Sequence, residues 1–319
     1  NVTIGSEAAA VNEGVTVMNN HVMTGQNLDI RADLYAIRSR NGAVQIEGGT
    51  LRGRRAGLYA HSIDDTATTT IDAVGTHILA EAMNAVGVSA NHRGTQVTLD
   101  GVTVDVSGSA RTALRATDEA RIDAVNSQLN GQSTGSIGVH MLGNIGAGDT
   151  AVSLSDTQVI MTGQNANGVQ SERYEPQGAN SLVLSNGSNL QTHDGVGFLV
   201  RGGDHDINVQ HATVVARAGG DEASGILLGT QATPNAGIVP GQPYQTQRVI
   251  LNATGALMTG DVLTSDSGRV DIGLASGTEW TGAVRAGQGS VDSISIDASS
   301  VWNMRGDSAV KALPNAGVG

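Results

Sequence analysis

The stretch Val86-Gly87-Val88-Ser89-Ala90-Asn91-His92-Arg93-Gly94-Thr95-Gln96-Val97-Thr98-Leu99-Asp100-Gly101-Val102-Thr103-Val104 carries two short motifs joined by polar and glycine residues. One is small-Gly-aliphatic-x-apolar, Val86-Gly87-Val88-Ser89-Ala90. The other is an alternating segment, Val97-Thr98-Leu99, followed a few residues later by Val104. Both alternate with period two, which is the period of a strand and not of a helix.

Working outward, the same pair recurs through nearly the whole chain. The alternating segment returns as Val44-Gln-Ile46 with Leu51, Val152-Ser-Leu154 with Val159, and Leu182-Val-Leu184 with Leu190. Ile207-Asn-Val209 with Val214 and Ile294-Ser-Ile296 with Val301 complete the set. The glycine motif returns around Gly57, Gly138, Gly168, Gly197 and Gly225. Taking the second apolar residue of each alternating segment gives anchors at 17, 46, 71, 99, 124, 154, 184, 209, 251, 274 and 296. Ile71 and Ala124 can each slip by a residue or two. Strand-turn-strand units of this length predict an all-β chain, a right-handed parallel β-helix of about eleven coils, with handedness from the parallel-crossover rule. Such a rod is about 50 Å long at about 4.8 Å per coil. The chain reads as one unit over 1–319. Its first residue, Asn1, and its closing Pro-Asn-Ala-Gly stretch predict a piece of a longer protein.

Composition agrees. Of 319 residues only one is Phe, four Tyr and two Trp, so the interior is predicted to be tiled with Val, Ile, Leu and Ala, aromatics fitting poorly in a narrow solenoid. The 44 glycines are expected at corners, where φ turns positive. A net charge of −12 argues against a nucleic-acid partner or an anionic membrane surface. With no cysteine, disulfides, thiol chemistry and Cys-ligated zinc are excluded.

The most specific residues lie late. Val270-Asp-Ile-Gly-Leu-Ala-Ser-Gly-Thr-Glu-Trp280-Thr-Gly leads to Ser293-Ile-Ser-Ile-Asp-Ala-Ser-Ser-Val-Trp302-Asn-Met-Arg-Gly-Asp-Ser-Ala-Val-Lys-Ala-Leu313. The two Trp residues stand one coil apart, which allows them one face. From about Gly260 onward this pattern resembles the late coils of type V autotransporter passengers, especially the pertactin-like group. The resemblance implies that 260–319 precede an autochaperone region and a translocator barrel that anchors the full-length chain in the outer membrane of a Gram-negative bacterium. It implies display at the cell surface or release, and the absence of cysteine suits passage through a narrow pore. The group includes adhesins, serum-resistance factors and a member that captures a complement-controlling plasma serpin; low lysine, high glycine and the late Arg-Gly-Asp resemble that member. No cofactor is implied.

For a binding role the informative feature is connection length. Four consecutive connections, near 142–150, 171–180, 201–206 and 229–247, follow the glycine motif and precede the next alternating segment. They are expected at one corner of the rod, stacked along one edge. Arg173, Tyr174, Glu175, Tyr244 and Arg248 fall there with Glu172, and Tyr and Arg are common binding anchors. The expectation is non-covalent capture of a host protein, a plasma serpin or complement regulator, in immune evasion. The alternative is a host-cell adhesin recognised by an integrin-type receptor, through Arg305-Gly306-Asp307 or through the loop edge, although the spacing leaves that tripeptide in a tight corner. A polysaccharide-active β-helix enzyme is the least favoured: Asp64-Asp65, Asp118-Glu119 and Asp221-Glu222 are turn pairs that point apart, and no catalytic motif occurs. Gly306-Asp307-Ser308 lacks a nearby His for a protease. Asp204-His205-Asp206, with His211 and His193-Asp194, matches no known cation-ligand spacing. Tyr35 and Tyr59 are expected to face outward from a strand or to cover the exposed end of the rod, rather than to form a site.

Overall fold

The computed structural model describes residues 2–6, 9–63, 67–108, 112–144, 148–174, 177–218, 225–231, 248–265 and 268–314. Its regular structure there is all strand, from Val2–Ile4 to Val301–Met304, and the strand pairs are parallel. A full coil has three strands, as in Thr95–Asp100, Thr103–Val106 and Thr112–Thr117. The first and second faces form one continuous 21-stranded sheet, and the third an 11-stranded sheet with one strand per coil. The first two faces are welded by Val22–Ala32 and Ala43–Gly53, which run through both without a break. The chain is therefore a parallel β-helix with about the number of coils its periodicity predicts.

The alternating segments are first-face strands. Their inward residues stack in register as Ile46, Ala73, Leu99, Ala124, Leu154, Leu184, Val209, Ala253, Leu274 and Ile296. Three anchors therefore move. Ile71 and Leu251 each belong two residues earlier, because positions i and i+2 of a strand both point inward and alternation cannot choose between them. Val17 lies on the third face, paired with Ser39, and Gly25 occupies its expected rung.

The second face repeats the pattern as Leu51, Ile78, Val104, Leu129, Val159, Leu190, Val214, Met258, Trp280 and Trp302. Val301 had been expected here, but it is 46% exposed and its neighbour Trp302 holds the rung. The interior also accepts aromatics: Trp280 and Phe198 are fully buried. Glycine makes the room, since a Cβ on Gly282 would stand 2.0 Å from the Gly260 carbonyl oxygen and 2.9 Å from Trp280 Nε1.

The glycines divide into two kinds. At the corner between first and second faces each of these coils turns left-handed, at Gly75, Gly101, Asn126, Asp156, His211 and Gly255 singly and at the pairs Asn186-Gly187 and Ser276-Gly277. Asn and Asp tolerate that backbone next best after Gly. The motif glycine is different. Gly87 and Gly138 lie inside third-face strands, where a Cβ would meet Val104 Cγ1 at 2.3 Å and Val159 Cγ1 at 2.6 Å. Their absent side chains admit the second-face valine of the following coil.

Beside the left-handed corner runs a hydroxyl ladder. Thr157 Oγ1 donates to the Ser155 carbonyl (3.0 Å) and accepts from Ser127 N–H; Ser188 Oγ accepts from Thr157 N–H at 3.1 Å and donates to the Ser185 carbonyl at 2.7 Å. These buried hydroxyls satisfy corner amides that have no ladder partner.

Candidate functional site

The corner from third to first face carries the long connections. Ile137–Gly143 leads to Thr150–Ser155, Asn167–Arg173 to Ala179–Ser185, Val196–Arg201 to Asp204–Gln210, and Ile226–Gln231 to Arg248–Thr254. These strands are hydrogen-bonded neighbours on successive coils, so all four connections leave the third face at one corner, as expected. Their extents differ. The 201–206 connection is not expanded: only Gly202 and Gly203 separate its strands, and both take positive φ. Residues 142–143, 171–173 and 229–231 are still strand. Glu175, Tyr244 and 232–247 lie outside the described residues.

Carboxylates staple the first two of these connections to the coil before each. Asp118 Oδ1 accepts from Asn144 N–H at 2.8 Å, Glu119 Oε1 from Gly148 N–H at 2.8 Å, and Asp149 Oδ1 from Ala179 N–H at 2.7 Å. The Asp118-Glu119 pair is thus committed to holding backbone, one coil to the following.

Arg173 is not presented to a partner. It is 1% exposed, its guanidinium turned into the corner, where it donates to the Gly148 carbonyl (3.1 Å), the Gln177 carbonyl and Asn180 Oδ1 (3.4 Å). It holds two connections together from within. Tyr174 is half-buried, and its hydroxyl donates to Glu172 Oε2 at 2.8 Å. Glu172 is the centre of a cluster on the outer side of the third face. It accepts from Arg201 Nη1 at 3.0 Å and from Gln170, with His140 Nε2 at 3.9 Å. Arg201 also donates to Gln231 Oε1 at 3.2 and 3.0 Å.

Burial pushes the Glu172 carboxyl up, but the Tyr174 hydroxyl, His140, Gln170 and Arg201 together outweigh it and hold it below the usual range. Burial and the bond to Glu172 push the Tyr174 phenol up to about 12. Burial, with Arg115 and Arg201 nearby, lowers His140 against the pull of Glu172. At neutral pH this is a carboxylate ringed by donors, a preorganised polar surface. Sequence reading missed His140 and Arg201, because residues about thirty apart meet only through the register, and Gln170, which shares the outer side of the strand with Glu172 two residues on; the coil period applied to Glu172 would have found Arg201.

The other expected positions are scattered. Arg248 is exposed on the first face, with Nε 3.8 Å from Asp271 Oδ2. Arg305, Gly306 and Asp307 are all exposed after the strand Val301–Met304. They form no loop: Arg305 N–H donates to the Gly282 carbonyl at 3.4 Å, and Ser308 Oγ accepts from Val284 N–H at 3.1 Å. Strand alternation turns Asp204 and Asp206 outward and His205 inward, 1% exposed. His205 Nδ1 lies 2.8 Å from Ser171 Oγ and its Nε2 donates to the Gly202 carbonyl at 2.5 Å. Burial lowers it to about 4. Among the described residues no three His, Asp or Glu side chains converge as a metal site would require.

Fold and edge together define a parallel β-solenoid with one stapled, loop-bearing corner. Neither a protein-family model nor a curated protein matches the chain.

Proposed function

We propose that this chain is the β-helical passenger part of a pertactin-like autotransporter, displayed on or released from a Gram-negative surface, and that it works by binding a host protein without covalent chemistry. The observation that carries this reading is the loop edge: expanded connections occur at one corner of successive coils and are tied to each other by Asp118, Glu119, Asp149 and Arg173. A rigid edge costs little ordering entropy on binding. Tyr174 and Arg201, both held by the buried Glu172, would supply its contact surface, and Arg248 flanks it. The partner class we assign is a complement-regulating plasma serpin, sequestered in immune evasion. Binding is favoured over catalysis because Asp118-Glu119 is engaged with backbone amides; Asp64-Asp65 and Asp221-Glu222 lie outside the described residues.

The test is a pull-down from human plasma with the wild-type chain and with a variant that combines removal of 232–247 with Tyr174→Ala. A stoichiometric serpin recovered by the wild type and lost by the variant supports the reading. Undiminished capture by the variant removes the loop edge from it, and recovery of no serpin removes the partner class.

The exposure of Arg305, Gly306 and Asp307 favours a second reading, integrin-type adhesion. Cell attachment abolished by Asp307→Glu would establish it; attachment unchanged by that substitution would end it.

A further inference from the structure

Arginine is unevenly distributed. Residues 31–55 hold six of the arginines and only two acids, Asp33 and Glu47, in a chain of net charge −12. The coil register gathers them further. On the outer side of the third face, Arg38, Tyr59, Ser89 and Arg115 occupy one row across four successive strands, and Arg40, His61 and Asn91 the row beside it. Arg55, from the corner before Ala56–His61, reaches the same place.

Two tyrosines organise this cluster. Tyr35 and Tyr59, expected to face outward, do so as a packed pair with ring centroids 4.5 Å apart; Tyr35 is 6% exposed and Tyr59 half-buried. Arg38 lies over both rings, at 5.3 and 5.9 Å from the centroids, and Arg55 over Tyr35 at 5.7 Å. Cation–π stacking holds a guanidinium without neutralising it. Arg38 has one carboxylate partner, Glu13, at 3.0 Å. Among the described residues Arg40, Arg52, Arg55 and Arg115 make no ion pair, and Nε of Arg38, Arg40, Arg52 and Arg115 is buried without an acceptor. Unpaired cations held close together repel one another, a cost that an anionic ligand relieves.

The patch continues around the corner. On the second face Arg31, Arg52 and Arg54 line a cavity of about 440 Å³ with Asp33 and Glu81. Arg54 pairs there with Asp33 at 3.3 Å, so this second surface carries three arginines against two carboxylates where it meets the third-face cluster at the edge of Arg54 and Arg55.

We infer that this N-terminal third binds an acidic polysaccharide, one whose sulfate or carboxylate groups are spaced along a flexible chain that can turn the corner. Charge complementarity selects an anion. The geometry favours a polysaccharide over duplex nucleic acid, because the arginines lie on two faces of an edge, which a stiff duplex does not follow, and because the remaining surface is acidic and repels a long polyphosphate. The row ends at Arg115, whose neighbour on the next strand is His140 of the Glu172 cluster, so the patch runs up to the loop edge.

The experiment is retention of the full chain on immobilised heparin at low salt, against neutral dextran and against duplex DNA. Three proteins are compared: wild type, the triple variant Arg40→Gln/Arg55→Gln/Arg115→Gln, and a control Arg121→Gln/Arg269→Gln at two exposed arginines outside the patch, each shown folded by its strand circular dichroism. Because Arg55 is exposed, the single variant Arg55→Glu tests the patch with the packing intact. The expected result is salt-sensitive retention on heparin, weakened at least tenfold in the triple variant, clearly reduced in Arg55→Glu and unchanged in the control. No retention of wild type, or full retention of both patch variants, overturns the proposal. Equal affinity for duplex DNA overturns the assignment to a polysaccharide.

Discussion

Trp280 and Trp302 lie face to face on adjacent rungs of the second-face ladder, ring centroids 4.9 Å apart and planes within 3°. Each indole repeats its neighbour's hydrogen bond: Trp280 Nε1 donates to the Gly260 carbonyl at 2.9 Å, Trp302 Nε1 to the Gly282 carbonyl at 3.0 Å. The pair continues an aliphatic column with two large rings whose polar edges are satisfied.

Trp280→Ala should therefore leave a cavity and an unpaired carbonyl, costing about 3–5 kcal/mol. Trp302 is only partly buried, and its truncation should cost less. Denaturant midpoints of the two variants check the order. Equal costs would mean that the ladder position does not set the energetics.

Gly138→Ala places a methyl 2.6 Å from both Val159 Cγ1 and the Gly168 carbonyl oxygen. Neither strand can retreat without breaking its register, so the expected loss is about 1–3 kcal/mol, as for other overpacked cores. The double variant Gly138→Ala/Val159→Ala should recover part of it, read as a thermal midpoint above that of the single Gly138→Ala variant.

His205 makes stability depend on pH. Its ordinary value is 6.5 and burial lowers it to about 4 in the folded chain. Between those values the unfolded chain takes up a proton that the folded one refuses, so stability present above pH 6.5 is lost as pH falls toward 4. The loss from this group is about 3 kcal/mol at most. His140 acts in the same direction, so the comparison must be with His205→Gln. Urea midpoints from pH 7 to 4 should fall more steeply for the wild type, and parallel curves would contradict the assignment.

Glu172→Gln removes the charge that Tyr174 and Arg201 share. The Tyr174 phenol, held up to about 12 by burial and by that carboxylate, should then ionise nearer the ordinary tyrosine value. A tyrosinate absorbance titration of the two proteins reads the difference. On the acid side, the depressed Glu172 value stabilises the fold above its unfolded pKa and is lost as pH falls through the folded one, a component the Gln variant should lack.

Much of this molecule was legible in advance because a solenoid repeats its physics. Val97-Thr98-Leu99 and Val86-Gly87-Val88 each name a face, and the recurrence of the pair names the stack. The errors came where alternation is degenerate. Ile71 and Ala73 both point inward, and Val301 and Trp302 are both apolar neighbours of which only one side chain can enter. The edge was legible as connection length, but not which of its residues reach the surface. Arg173 looked like an exposed anchor and is buried, because Gly203 on the next coil leaves space beneath it: a Cβ there would stand 2.8 Å from the Arg173 Cβ.

What the sequence by itself determined was therefore the class of fold, the coil count and the corner at which the chain expands, since each follows from period two recurring at a near-constant interval. The tertiary structure alone decided what lies beside what across coils. Glu172 meets Arg201, Tyr59 meets Arg38, and Trp280 meets Trp302 through strand register, with partners about one coil apart in the chain and a single rung apart in space. Local pattern cannot encode that pairing, because any shift by two residues leaves every side chain on the same face. Burial of specific neighbours, and room left by specific glycines, selects one register among them.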